Sequence, residues 1–143
     1  MVSLPCYTQK VLPASSGPLH YIEAGEGPLL VLIHGSLCDY RYWRWQMAQF
    51  GASCHVVALS LPGCWPQAIG AEDVASGKAA EVYGMQEHVD AVIALCDAIA
   101  PQGPVRLLGH SRGAQVALEA ALAISQRVDR LILADPGFAF SDE

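Results

Sequence analysis

Charge is scarce in this sequence, and positive charge is scarcer. Eight Lys and Arg stand against 14 Asp and Glu in 143 residues, giving a formal net charge of −6 with only 15% charged residues. A surface this poor in cations cannot neutralise a run of phosphates, which excludes nucleic acid as a partner. Long apolar runs are also missing. Hydrophobic residues make up 52% of the chain and the mean hydropathy is +0.29, yet no stretch approaches the ~20 residues that span a bilayer. The segment from Met1 to Lys10 lacks the charged start and apolar core of a secretory signal, so a cytoplasmic protein without a membrane segment is expected. The five cysteines, Cys6, Cys38, Cys54, Cys64 and Cys96, show neither CxxC pairing nor a Cys/His ligand spacing. Buried free thiols are therefore expected, rather than a disulfide framework or a metal site. No internal repeat or linker divides the chain, and its length suits one core. A single domain over 1–143, with its core at about 19–138, is expected.

Four short apolar runs, rich in Val, Leu and Ile, read as strands buried on both faces: Leu29 to Ile33, His55 to Leu61, Val105 to Leu108 and Leu131 to Ala134. Helical periods lie between them. The first helix is expected from near Asp39, its N-cap, through Tyr42, Trp43, Met47 and Phe50 to Gly51. The second covers about Met85 to Ile99, with Val89, Val92, Ile93 and Cys96 on one stripe, and the third starts after Ser111 with Val116, Ala117, Ala120, Ala121 and Ile124 facing inward. Upstream, Leu19 to Glu23 reads as an early antiparallel strand. Leu61 to Tyr83, with Pro62, Gly63, Pro66, Gly70 and Gly77, reads as a long connecting loop. Strands alternating with helices predict an α/β fold, a mostly parallel sheet with helices on both faces.

The strongest chemical signal is Gly109-His110-Ser111-Arg112-Gly113, which sits between an apolar strand and an amphipathic helix. A serine in so sharp a turn is pushed into strained backbone geometry that lifts its hydroxyl above the sheet edge. Gly109 and Gly113 remove side chains where strand and helix approach closely. A second signal follows the strand Leu29 to Ile33: the turn His34-Gly35-Ser36-Leu37-Cys38-Asp39. The backbone N–H groups of Ser36 and Arg112 together suit an oxyanion hole, which stabilises charge on a carbonyl oxygen under attack.

With these motifs in hand, the sequence resembles the α/β-hydrolase superfamily in its esterase, lipase and C–C hydrolase group. The resemblance rests on His34-Gly35, Leu61-Pro62-Gly63, the segment Gly109 to Gly113 and the segment Val128 to Leu133, in that order and spacing. It implies the strand order 1-2-4-3-5-6-7-8, with the four runs as strands 3 to 6 and Leu19 to Glu23 as strand 2. It also implies Ser111 as nucleophile, oxyanion donors at Ser36 and Arg112, supporting roles for His34 and His110, and no cofactor or metal. Serine at 111 differs from the aspartate of the dehalogenase and epoxide-hydrolase branches.

The family's triad runs in the order Ser, acid, His, whereas the last histidine here is His110. The fold is thus expected to be truncated after the presumed sixth strand. Among the histidines, His20, His34, His55 and His110 read as structural and His88 as a helix-surface residue. Asp135 reads as a turn residue before Pro136-Gly137, with a catalytic acid as the alternative. The aromatic cluster Tyr40, Tyr42, Trp43 and Trp45 reads as core packing, with the lining of an apolar acyl pocket as the alternative; Trp43 and Met47 are expected to face the sheet, while Tyr40 and Arg41 are closer to the turn, where a ligand would meet them.

Two readings stay open at this point. One is a serine hydrolase acting on a small ester, thioester or related carbonyl compound. The other is a truncated, non-catalytic domain that binds a ligand or partner, or a gene fragment. Either way, a strand 6 without a further neighbour is an apolar edge, from which a homodimer or a complex with a complementing fragment is expected.

Overall fold

The computed structural model describes residues 6–15, 17–67, 69–79 and 84–137. Six strands form one sheet: β1 (Thr8–Leu12), β2 (Leu19–Ala24), β3 (Leu29–Ile33), β4 (His55–Leu59), β5 (Val105–His110) and β6 (Val128–Ala134), in the order β1-β2-β4-β3-β5-β6. The first two join antiparallel, and β4, β3, β5 and β6 run parallel. The implied order is therefore the observed one for all six strands. β1 has no counterpart in the sequence reading. Its Thr8-Gln9-Lys10 stretch is polar and exposed, so only its pairing with β2 identifies it.

Side-chain alternation along β3 divides the core into two layers. Val31 and Ile33 join Val57, Leu59 and Leu107 beneath α3 (Met85–Ile99) and α4 (Arg112–Ala123). Leu30 and Leu32 join Val56, Ala58 and Leu108 on the opposite face, where Tyr40, Trp43 and Met47 cover them. Helices thus occupy both faces, as expected. Within α4, Gly113, Ala114, Val116, Ala117, Ala120 and Ala121 are buried, and these small side chains let the helix lie close on the sheet.

Three elements differ from the expected layout. The helix expected over 39–51 is divided into a 3-10 turn, Tyr40–Trp43, and a short α1, Met47–Gly51. The break shows in the backbone, where the N–H groups of Tyr42, Arg44 and Gln46 bond the carbonyls of Asp39, Arg41 and Trp43, three residues back instead of four. Asp39 does cap this segment, its carboxylate accepting from Arg41 N–H at 2.9 Å. The expected loop over 61–83 holds a short helix, α2 (Ala71–Ala75), and residues 68 and 80–83 of it lie outside those described. The third difference concerns His88, which is buried rather than on the helix surface. It shares the stripe of Val92 and Leu95, at positions i, i+4 and i+7.

Among the described residues, no helix is long and apolar enough to cross a membrane. Leu107 is fully buried and Leu122 is 65% exposed. Leu107→Ala should destabilise the fold by about 3 kcal/mol and Leu122→Ala by less than about 0.5 kcal/mol, as read from urea denaturation midpoints.

Candidate active site

Three loops meet at the carboxyl edge of the central strands. The first follows β3, the second follows β4, and the third is the turn from β5 into α4. In the third, Ser111 stands between strand and helix with φ 53° and ψ −122°, a conformation costly for a residue with a side chain and held only by its surroundings. Its N–H donates to the Ala134 carbonyl at 3.0 Å, and its own carbonyl accepts from Ala114 at 2.9 Å. The surroundings leave little room. A Cβ at Gly109 would sit 2.1 Å from the Gly113 carbonyl oxygen, and one at Gly113 would sit 2.3 Å from the carbonyl oxygens of both Ile33 and His34.

Gly35, in the loop after β3, lies against this turn. A Cβ there would reach 3.2 Å from the Cβ of Ser111 and from Nδ1 of His110. Ser36 and Leu37 follow, both exposed, with Leu37 at φ 60°. Ser36, Leu37, Leu61, Cys64 and Arg112, together with the buried rings of His34 and His88, line a cavity of about 350 Å³. The residues proposed from sequence for an oxyanion hole, Ser36 and Arg112, therefore share one cavity.

His34 ties two of the loops together. Its Nδ1 lies 2.8 Å from the Gly35 carbonyl and its Nε2 is 3.0 Å from the Leu61 N–H. Nδ1–H donates and Nε2 accepts, which describes a neutral ring. Burial pushes its pKa below the ordinary 6.5 and the repulsion of His88 adds to this, against the opposing pull of the Gly35 carbonyl and Asp39. Nε2 of His88 pairs with the Pro62 carbonyl at 3.1 Å. His110 stacks on Tyr42, with centroids 5.0 Å apart. His55 pairs with Glu23 at 2.9 Å, far from Ser111 along the sheet. Among the described residues, no histidine hydrogen-bonds the Ser111 hydroxyl.

Asp135 follows β6 with φ 45° and is exposed. The next residues of its turn, Pro136 and Gly137, receive the Gln115 side-chain amide at 3.4 and 3.3 Å. Of the aromatic cluster, Tyr40 and Trp43 are buried while Tyr42 and Trp45 are exposed. Tyr40 is buried, as the packing reading expects, and takes no part in the cavity: its ring fills the second core layer and meets Trp65 edge-on at 5.6 Å. Its N–H donates to Ser60 Oγ at 3.1 Å. Arg41 is bound through its side chain to Asp39 at 2.8 and 2.7 Å and lies 3.8 Å from the Trp65 ring centroid. Burial opposes ionisation of Asp39, but the Arg41 bonds outweigh it and hold its pKa below the ordinary 3.8. Burial also raises the Cys64 thiol to about 11. From sequence, Cys64 reads only as a free thiol, His88 only as a helix-surface residue and Trp65 has no role, and for His88 the spacing to Val92 and Leu95 is the signal that would have placed it inside.

The model of the alpha/beta hydrolase family matches residues 30–142. The (E)-2-((N-methylformamido)methylene)succinate hydrolase of Acinetobacter baylyi is 33% identical over 112 residues, which cover 78% of this chain and 39% of that protein. The pimeloyl-[acyl-carrier protein] methyl ester esterase of Vibrio parahaemolyticus is 34% identical over 123 residues, covering 85% and 42%. Among solved structures, potato epoxide hydrolase I superposes with a TM-score of 0.74 at 28% identity, covering 89% of this chain and 39% of that one. The chain thus spans about two fifths of the length of each of these proteins.

Two outcomes follow from this geometry. Gly113→Ala should cost more than about 2 kcal/mol, since the added methyl meets two backbone carbonyls that cannot move aside, and a lowered urea midpoint would report it. His34 is held neutral by folding, so the unfolded chain takes up its proton more readily. Stability should therefore fall as pH drops through the ordinary value of 6.5. Urea midpoints at about pH 7.5 and about pH 5.5 should differ less in His34→Gln, whose side chain does not titrate.

Proposed function

The chain belongs to the α/β-hydrolase family, and from that premise we propose that it carries the nucleophile of a serine hydrolase acting on a small ester, thioester or related carbonyl compound. The observation that carries this reading is Ser111, held at φ 53° in the turn between β5 and α4 and beside the loop after β3. Both relatives named above are hydrolases, one of them a methyl ester esterase. Ser111 Oγ attacks the carbonyl carbon as its proton passes to a base. The backbone N–H groups of Ser36 and Arg112 take the developing oxyanion, and the alcohol or thiol leaves with a proton. Water then hydrolyses the acyl-enzyme and restores Ser111. No cofactor or metal takes part. His34, Gly35, Gly109, His110 and Gly113 shape the turns. Asp135 is read as a turn residue, with the catalytic acid as the alternative.

The base has to come from a histidine outside those described at Ser111, in a further segment or a second chain. β6 offers a place for either, because it pairs with β5 alone among the described strands and Ile132 on it is 50% exposed. We place the protein in the cytoplasm, as one domain over 1–143 with its core at about 19–138, of which 138 lies outside the described residues. That no histidine among the described residues is seen bonded to Ser111 favours one other reading, a domain that binds such ligands without turnover.

A serine-directed fluorophosphonate and a p-nitrophenyl ester separate these readings when run with and without free imidazole in the buffer. Imidazole should raise the rates of adduct formation at Ser111 and of ester turnover by about tenfold, since a general base is worth more than this in place. Ser111→Ala should not respond beyond the buffer reaction. Equal rates in the two proteins, with no adduct, would leave only the binding reading.

A further inference from the structure

All five cysteines are free thiols, and the hydrolase reading uses none of them. Two of them stand at matching places on facing turns. In the loop after β3 the Cys38 N–H donates to the Gly35 carbonyl at 3.3 Å, and in the loop after β4 the Cys64 N–H donates to the Leu61 carbonyl at 3.0 Å. Each cysteine is thus the fourth residue of a hydrogen-bonded turn. The third residue of each turn has a positive φ, 60° at Leu37 and 80° at Gly63. Where they begin, the turns are tied by Nε2 of His34 accepting from the Leu61 N–H at 3.0 Å. Just past their ends they meet again: the Arg41 guanidinium lies 3.8 Å from the Trp65 ring centroid, and the Tyr40 ring meets the same ring at 5.6 Å. Cys38 and Cys64, both half-buried, lie between these two fastenings, near enough that a charge on Cys38 acts on the Cys64 thiol. The other three cysteines are placed apart from them. Cys6 is exposed ahead of β1, Cys54 precedes β4 at the opposite edge of the sheet, and Cys96 is buried within α3.

We propose that Cys38 and Cys64 form a reversible disulfide when the protein meets a small disulfide oxidant such as oxidised glutathione, and that the bridge clamps the two turns that wall the cavity beside Ser111. The two thiols have different parts in the exchange. Burial lifts Cys64 to about 11, which leaves little thiolate at neutral pH, while Cys38 lines a separate cavity of about 370 Å³ with Asp39, Arg41, Tyr42 and Arg44. The Cys38 thiolate, its proton released to solvent, attacks one sulfur of the oxidant. That S–S bond breaks, and one glutathione leaves as a thiolate and takes up a proton. The Cys64 thiolate then attacks the Cys38 sulfur of the mixed disulfide, and the second glutathione leaves in the same way. Two protein thiols give up two electrons and two protons, and one oxidant disulfide becomes two thiols. Ser36 and Leu37 lie inside the turn that the bridge holds, so the clamp acts on the wall of the cavity. It depends on the facing turns alone and stands whether or not Ser111 turns over a substrate.

The reduced full chain, kept dilute, is incubated with oxidised glutathione, quenched with N-ethylmaleimide and followed by intact mass and non-reducing peptide mapping. Two of the five thiols should be lost in a species lighter by two hydrogens, with the peptides of Cys38 and Cys64 joined, and dithiothreitol should restore them. The bridged chain should have a higher urea midpoint than the reduced one, because a cross-link restricts the unfolded state. In Cys64→Ala the exchange should stop at a glutathione adduct on Cys38, and Cys38→Ser should form no internal bridge. Both variants are first shown to unfold cooperatively in urea while reduced. No bridge in the unmodified chain, a bridge between other cysteines or between two chains, or a bridged chain whose urea midpoint is no higher would overturn the proposal.

Discussion

Gly113 lies so near the end of β3 that one added carbon would touch the carbonyl oxygens of Ile33 and of His34 just beyond it. That approach sets the position of α4 on the sheet, and the row of buried Ala114, Ala117, Ala120 and Ala121 maintains it along the helix. Because β3 and β5 are adjacent central strands, a helix drawn this close must leave β5 through a very tight turn. Ser111 occupies that turn in its strained conformation. The strain is sustained by hydrogen bonds at both sides, to Ala134 at the end of β6 and from Ala114 inside α4. Packing, backbone strain and the placement of the hydroxyl are thus one constraint seen at three levels.

Much of this was legible in the sequence because it depends on local pattern. The runs Leu29 to Ile33 and Met85 to Ile99 match their elements end to end, since an unbroken apolar stretch and a sustained helical stripe bounded by Gly84 and Pro101 admit few alternatives. The glycines flanking Ser111 announced the close approach. What was not legible depends mostly on partners distant in sequence. β1 is a polar stretch that becomes a strand only by pairing with β2. The division between Tyr40–Trp43 and Met47–Gly51 lies in backbone bonds to the third residue back, which the apolar spacing of the segment does not announce. His88 looked like surface because histidine is polar, although its stripe points to the core and the Pro62 carbonyl supplies the partner that makes its burial affordable.

Electrostatically the molecule is acidic with local exceptions, and most of its cations are engaged. Lys10 pairs with Glu23, Arg41 with Asp39, Arg106 with Asp129, and Arg127 with Asp97. Arg127 also donates to the carbonyls of Cys96 and Ala100 at the end of α3, where a cation complements the helix dipole. These pairs are mostly half-exposed and each adds little to stability.

The Leu61 N–H bonded to His34, and the Tyr40 N–H bonded to Ser60, cross the gap between the loops after β3 and β4. Two loops that would otherwise fluctuate separately are coupled into one body whose disorder was lost during folding. A ligand settling against these walls has little left to freeze, so the entropic penalty of assembling the cavity falls on the folding equilibrium and not on the encounter.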